Sequence, residues 1–446
     1  MSRIYHVSHP RHGAALVMKV PRLDPNTPFL ALNAFENECR ILKGLRGTHV
    51  PRVIAASENT SNPHLVLEFI AGDDLFQASR RAPIPVKDLV SLAIPLCRAL
   101  HDIHRQNVVH LDLNPGNVRN RANGEAVLID YGISHHAGLP DAMDIAFGNE
   151  AGTTPYIAPE QLRHLRSESR SDIYALGACL YQLATGHYPF GRPNLMSLKR
   201  RLVVPPLPPR FYNPHIPPWL QEIILRCLEI QPGQRYATAK HVAHLLTHPD
   251  AVTLTRRAHR TRPPSRWART RQWFQSLYRV FENELPLHPQ ERAASSPHVL
   301  VTFDPMRESP VLLESLRQTV ARIARNEPHS YFTCLSVVTQ DELEQNADTL
   351  LERQVALRRW AKPLGLTPER IVAFVVPGTP TTMIVEYAHQ HAVDQIVLCA
   401  RGQSTSRWRR RVSDRVPLEA PCTVTVVRAR HAPAQHHPSK VRRRLR

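Results

Sequence analysis

Apolar positions change their spacing along the chain, and the changes divide it into parts. In residues 1–248 short apolar runs give way to segments whose apolar residues recur every three or four positions. "RIYHVSH" and "ALVMKV" read as strands joined by the turn "PRHG", "FENECRILKGL" as a helix, and "LVLEFIAGDDL" as a strand running into a polar turn. "DIYALGACLYQLATG" and "WLQEIILRCLEI" predict long helices. The pattern breaks at "RRAHRTRPPSRWARTRQWFQSLYRVFEN", so residues 249–297 are expected to be a basic linker. In residues 298–429 the runs "HVLVTFD", "YFTCLSVV", "RIVAFVV", "DQIVLCA" and "CTVTVVRA" alternate with helical stretches, one of them continuing to about Gly365. Five short β-branched strands separated by helices predict a parallel sheet covered on both faces. Residues 430–446 form a basic tail. The expected fold is therefore multidomain, an α+β domain followed by an α/β domain.

Charge and cysteine usage narrow the setting. Of 446 residues 42% are hydrophobic and 21% charged, which suits folded domains rather than a disordered chain. The formal net charge of +19 gathers in Arg256–Arg279, with eight arginines and no acid, and in the stretch from Arg401 to the end. Such clusters attract anionic surfaces without specifying one, so no specific nucleic acid is expected. Trp267, Phe274, Tyr278 and Phe281 share one side of a helical pattern whose other side is Arg-rich. That stripe suits either docking on a neighbouring domain or weak binding of an anionic membrane surface. The seven scattered cysteines form no C-x-x-C pair, no apolar run suits a signal peptide, and no segment reaches the ~20 apolar residues of a membrane span. A cytoplasmic location without a transmembrane segment is the expectation.

The candidate chemistry lies in the first domain. Phosphoryl transfer needs a cation on the nucleotide phosphates, carboxylate and amide ligands for magnesium, and an acceptor for the hydroxyl proton. Lys19 ends the strand pattern "ALVMKV", and Glu38 stands on the following helix. "HLDLNPGN" offers Asp112 as proton acceptor and Asn117 as a metal ligand; "DYG", after the strand "AVLID", offers Asp130 as a second. An oxygen-only set of this kind suits Mg2+ or Mn2+. Any one of these motifs is weak by itself, and the sequence carries more: "GTTPYIAPE", "SDIYALG" and "QPGQRY" follow in order.

In this order the motifs of the first 248 residues resemble a eukaryotic-like Ser/Thr protein kinase domain, a bilobal fold. The resemblance implies that Lys19 holds the ATP phosphates and pairs with Glu38, that Asp112 is the catalytic base, and that Asn117 and Asp130 bind metal. It implies that Glu68 and Ile70 meet adenine through their backbones and that Asp74 reaches the ribose. Glu160 would pair with Arg235, and Asp172 would brace the backbone of the catalytic loop. Thr153 stands where Ser/Thr-specific members place a threonine near the base. "HLDLNPGN" also resembles the loop of aminoglycoside and choline phosphotransferases, but those lack the "APE" and "SDIYALG" patterns. A protein substrate is therefore expected, and a pseudokinase scaffold that binds nucleotide or a client is the alternative.

Three departures from the family pattern bear on rate and control. Only eighteen residues precede Lys19, so the Gly-rich loop is missing. Either translation starts upstream of Met1, or the phosphate lid is absent. Leu111 replaces the Arg that usually meets a phosphorylated activation segment, and His135–Gly152 contains no Ser, Thr or Tyr. The two absences together predict an activation segment ordered without phosphorylation. Asn114 replaces the lysine that usually meets the transferred phosphate, a loss worth about 2.7 to 4 kcal/mol of barrier.

Residues 298–429 resemble the universal stress protein family, a five-stranded α/β domain, through Asp304, Gly378, "DQIVLCARG" and "APCTVTVVR". ATP-binding members carry G-x-x-G-x(9)-G-[ST]. Aligned on Gly402, two of the glycine positions hold Cys399 and Val412, while Ser413 survives. Side chains there oppose close backbone approach to a phosphate. ATP binding and a stress-sensing or dimerising role, giving a homodimer through this domain, both stay open.

Overall fold

A computed structural model of the chain describes residues 2–10, 12–22, 28–57, 63–72, 75–139, 141, 143, 153–163, 165–192, 198, 200–202, 204–262, 297–345, 349–367, 370–391, 393–400 and 410–428. Trp267, Phe274, Tyr278, Phe281, Gly402 and the basic tail lie outside these residues, as do the two alternatives attached to them. The chain forms two compact units, Met1–Arg292 and Ala293–Arg446.

The first unit opens with an antiparallel sheet. Strands β1 (Ser2–His9), β2 (His12–Pro21), β3 (Val53–Ser57) and β4 (His64–Glu68) lie in the order β1-β2-β4-β3. Lys19 pairs with Ile4 on one side and Leu65 on the other, so a central strand presents it. Helix α1 (Pro28–Gly44) buries Leu32, Phe35, Cys39 and Leu42, and the same spacing carries Glu38 inward.

The rest of the unit is mainly helical. Helices α2 (Leu75–Arg80) and α3 (Val86–Arg105) lead to two short ladders that frame the catalytic loop. These are β5 (Val108–Val109) on β8 (His135–His136) and β6 (Val118–Asn120) on β7 (Ala126–Leu128). Leu89, Ala93, Leu96, Leu100 and Ile103 form the apolar stripe of α3. They share a core with helices α4 (Arg170–Thr185), α5 (Pro218–Cys227) and α6 (Ala239–Thr247). α4 is apolar all round because it is buried all round, and Gly186 ends it in the left-handed conformation at φ +74°.

Residues 249–260, placed by the sequence pattern in the basic linker, pack on α5 instead. The buried Gln221 amide donates to the carbonyls of Arg257, Ala258 and Arg260, while Glu222 holds Thr255 and Arg257. Val252 and Ala258 are buried. Arginine-rich composition read as solvated chain, whereas two buried polar side chains of α5 capture its backbone.

The second unit has the expected parallel sheet. Strands β9 (His298–Thr302), β10 (Tyr331–Val338), β11 (Ile371–Pro377), β12 (Gln395–Ala400) and β13 (Thr423–Arg428) run in the order β11-β10-β9-β12-β13. All four pairings are parallel. Every residue of the central β9 is buried, as continuous apolar parallel strands require. The stretch to Gly365 divides into helices Gln340–Gln345 and Thr349–Ala361 and a short 3-10 turn that Gly365 closes at φ +64°. Asp304 is engaged within the domain, 3.5 Å from the buried Arg353 and 3.8 Å from Arg307.

Gly177 sets the approach of α4 to α5, because a Cβ there would lie 2.6 Å from Cys227 Cβ. Replacing a helical glycine usually gains up to ~1 kcal/mol in propensity, but overpacking costs about 1 to 3 kcal/mol. Gly177→Val is expected to lower stability by that larger amount, measured by urea denaturation; unchanged stability would contradict the packing described.

Candidate functional site

The catalytic loop takes its shape from a carboxylate on α4. Asp172 is fully buried; it accepts hydrogen bonds at 2.8 Å from the backbone N–H of His110 and of Leu111, and lies 2.8 Å from His104 Nε2. Burial works against its ionisation, but His104, His110 and these hydrogen bonds hold the carboxyl below the usual range. Leu111 adopts φ +63°, and the Gln161 amide donates to its carbonyl at 2.8 Å. The Leu111 side chain is buried. The chain thereby turns so that Asp112 lies at the cleft, only partly buried.

Three polar side chains converge on Asp112. Its Oδ1 accepts from the backbone N–H of Thr153 at 2.9 Å and from Thr153 Oγ1 at 2.8 Å. Asn117 Nδ2 donates to Asp112 Oδ2 at 3.0 Å and to its carbonyl at 2.9 Å. Asn114 Nδ2 donates to the same carbonyl and to Thr153 Oγ1, both at 3.0 Å. Asn114 thus ties Thr153 to the loop, a contact that sequence reasoning recorded only as a lost charge. Burial raises the Asp112 carboxyl above its usual value, partly offset by the Thr153 hydrogen bonds.

Across the cleft Lys19 Nζ donates to both oxygens of Glu38, at 2.7 and 2.6 Å, and to Asp130 Oδ1 at 3.1 Å. Burial alone would push the Lys19 amine down and the Glu38 carboxyl up. With two short contacts the ion pair is the form that satisfies both groups, and Glu38 and Asp130 hold the amine well above its usual value. Half of the Asp130 side chain meets solvent. Crowding there opposes ionisation, but Lys19 outweighs it and the carboxyl stays below its usual range. Asp130 itself stands at φ +67°.

Asn37, adjacent to Glu38 on α1, went unnoticed in the sequence. Its Nδ2 lies 3.4, 3.1 and 2.8 Å from the carbonyls of Tyr131, Gly132 and Ser134. The helix that carries Glu38 is thereby fastened to the turn that carries Asp130. A polar residue on a buried helical face is the one sequence signal that marks such a contact.

The expected nucleotide edge is divided. Ile70 is buried beside the end of β4; the Glu68 side chain is taken by Arg121 at 2.5 Å and its N–H by the Arg52 carbonyl at 3.0 Å, leaving only its own carbonyl for a base. A Cβ on Gly72 would meet the Asn120 carbonyl at 1.7 Å, so glycine is required where the hinge crosses β6. Asp74 lies outside the described residues. Asn117 spends its N–H groups on Asp112, leaving Oδ1 as acceptor, and Asp130 offers a half-exposed carboxylate. Among the described residues no cluster of three His, Cys, Asp or Glu is placed to hold a metal. Two oxygen donors that leave room for phosphates and water are the set magnesium accepts. Farther out, Glu160 and Arg235 form a buried bidentate pair at 2.6 and 2.8 Å, as expected.

Comparison with known proteins extends this geometry. Residues 1–249 match the family described as protein kinase domain, and residues 297–428 match the universal stress protein family. A probable serine/threonine-protein kinase of Streptomyces coelicolor is 29% identical over 246 residues, 54% of this chain and 36% of that protein. Serine/threonine-protein kinase Pkn1 of Myxococcus xanthus is 30% identical over 268 residues, 59% of this chain and 38% of that protein. Tyrosine-protein kinase MasK of Myxococcus xanthus is 29% identical over 243 residues, 51% of this chain and 37% of that protein. The chain thus spans well under half the length of these relatives.

Tyr131 occupies the middle of "DYG", wholly buried, and its hydroxyl has no hydrogen-bond partner among the described residues. Removing such a hydroxyl recovers about 1 to 3 kcal/mol of desolvation cost. Tyr131→Phe is expected to raise the thermal midpoint; a lower midpoint would show that the hydroxyl is satisfied.

Proposed function

This chain belongs to the protein kinase family, and from that premise we propose that its first domain transfers the γ-phosphoryl group of ATP to serine or threonine hydroxyls of proteins. The observation that carries the reading is Lys19 bridging Glu38 and Asp130 across the cleft from Asp112 and Asn117. A scaffold that only binds a client has no need of a proton acceptor beside two metal ligands.

In the proposed reaction the acceptor oxygen attacks phosphorus, its proton passes to Asp112, and the bond from phosphorus to the ADP oxygen breaks. Lys19 holds the nucleotide phosphates, and its charge is secured by Glu38. Asn117 and Asp130 would hold the divalent metal, which neutralises phosphate charge when bound. Thr153 fixes the orientation of Asp112 through Oδ1. Its hydroxyl beside the base supports a serine or threonine acceptor, and the resemblance to a tyrosine kinase makes phosphoamino acid identity a necessary readout. Glu68 and Ile70 would meet the adenine through their backbones, and Asp74 the ribose. The universal stress protein domain is proposed to sense a ligand or to pair two copies. The Asp304 contacts with Arg353 and Arg307 support a packing role over nucleotide binding. No helix among the described residues is long and apolar enough to cross a membrane.

Transfer of label from ATP to a generic Ser/Thr-containing protein tests the reading. Asp112→Asn and Asp130→Asn are each expected to remove it; equal signal from wild type and both variants would overturn it. Asn114 keeps the tether to Thr153 but brings no charge to the transferred phosphate. Asn114→Lys should therefore raise kcat by about a hundredfold, and an unchanged kcat would show that another group supplies the charge. Asp112 must be ionised to accept a proton, and its carboxyl is raised. Activity is accordingly full above that raised value and lost as pH falls through it, so the acid limb should lie above the ordinary carboxylate range. Thr153→Ala removes one hydrogen bond to the ionised form and should move the limb further up, read from kcat against pH.

A further inference from the structure

Beyond the transfer machinery, one carboxylate and two basic side chains meet at the start of the activation segment. Asp141 Oδ2 accepts from Arg166 Nε at 2.6 Å and lies 3.0 Å from His135 Nδ1, while Oδ1 accepts from the backbone N–H of Met143 at 3.0 Å. The Asp141 and Arg166 side chains are 15% and 8% exposed, so this is a pair largely shielded from water rather than a surface contact. Arg166 also donates through Nη2 to the carbonyl of Ile133 at 2.9 Å and of Ser134 at 3.5 Å.

Those carbonyls lie in the turn that follows Asp130. The Ser134 carbonyl is shared with Asn37 of α1, and Ser134 Oγ donates to the His110 carbonyl at 2.9 Å in the catalytic loop. A continuous set of contacts therefore runs from Asp141 through Arg166 to residues 133 and 134, and from there to both halves of the site. Phosphorylation orders such segments by placing an anion among basic side chains. Here His135–Gly152 holds no hydroxyl that could be phosphorylated, and Leu111 offers no cation.

We propose that Asp141, clamped by Arg166 and His135, is a permanent substitute for a phosphate. It keeps the turn after Asp130, and through Asn37 helix α1, in the transfer-ready arrangement without a covalent switch. The proposal rests on the phosphotransferase reading above. Burial opposes ionisation of Asp141, yet Arg166 and His135 hold its carboxyl far below the usual carboxylate range, so the Asp141 carboxylate stays ionised at any physiological pH. Asp141, Arg166 and His135 are positioning residues, since none of them touches Asp112, Lys19 or Asp130 among the described contacts.

The test uses the full chain as wild type, Asp141→Asn, Asp141→Glu, Arg166→Gln and the double variant Asp141→Asn/Arg166→Gln. The measurements are kcat and KM for ATP in label transfer, and hydrogen exchange of peptides covering residues 31–40 and 131–137. Each single neutralisation is expected to lower kcat about tenfold or more, with KM within about twofold, and to speed exchange in both peptides. The double variant should be no worse than the poorer single, because both remove one interaction. Asp141→Glu should recover most of the rate, and phosphatase treatment should leave wild type unchanged. Wild-type kcat and exchange in Asp141→Asn, or loss of wild-type activity on phosphatase treatment, would overturn the proposal. Should Asp141→Asn fail to fold, Arg166→Gln carries the same comparison. If wild type transfers no label, the phosphotransferase reading fails, while exchange still decides the clamp: faster exchange in the neutralised variants supports it and equal exchange refutes it.

Discussion

The site depends on one buried carboxylate, that of Asp172. A non-glycine residue in the left-handed region, as Leu111 is at φ +63°, costs about 1 to 3 kcal/mol and persists only where its surroundings impose it. Asp172 supplies that imposition with charge-assisted bonds to two consecutive backbone N–H groups, each worth about 1.5 to 3 kcal/mol, so the constraint outweighs the strain. Because Leu111 turns there, Asp112 reaches the cleft and Asn114, Asn117 and Thr153 close around it. α4 can hold the carboxylate still because it is buried on every side, with Gly177 allowing α5 close against it.

The other half of the site is fixed by charges that come in pairs. Lys19 answers Glu38, Arg235 answers Glu160, and Arg166 answers Asp141. Removing one member of a buried pair strands the other at a cost of about 3 to 5 kcal/mol, so each pair locks the segment that bears it. Asn37 joins two of these locked segments, and the orientation of Glu38 and that of Asp130 become one property rather than two.

Much of this was legible in the sequence. Lys19, Glu38, Asp112, Asn117 and Asp130 were marked by motifs in fixed order, and the structure brings them into two facing groups. The parallel sheet followed from five β-branched runs, since strands covered on both faces must be continuously apolar. The contacts of Asn37, Asp141 and Arg166 were not legible, because single polar residues joining distant segments leave no periodicity. The packing of residues 249–260 was not legible for a related reason: their arginines suggest solvated chain, while Gln221 and Glu222, ordinary helix residues by themselves, bind them. Asn114 was read as a deficit in charge, and its tether to Thr153 required the fold to be seen.

Phosphoamino acid analysis of a protein acceptor incubated with the full chain, γ-labelled ATP and magnesium tests the central claim most directly. The geometry around Asp112 and Thr153 predicts label on phosphoserine or phosphothreonine. Label on phosphotyrosine, or none above that given by Asp112→Asn, would contradict it.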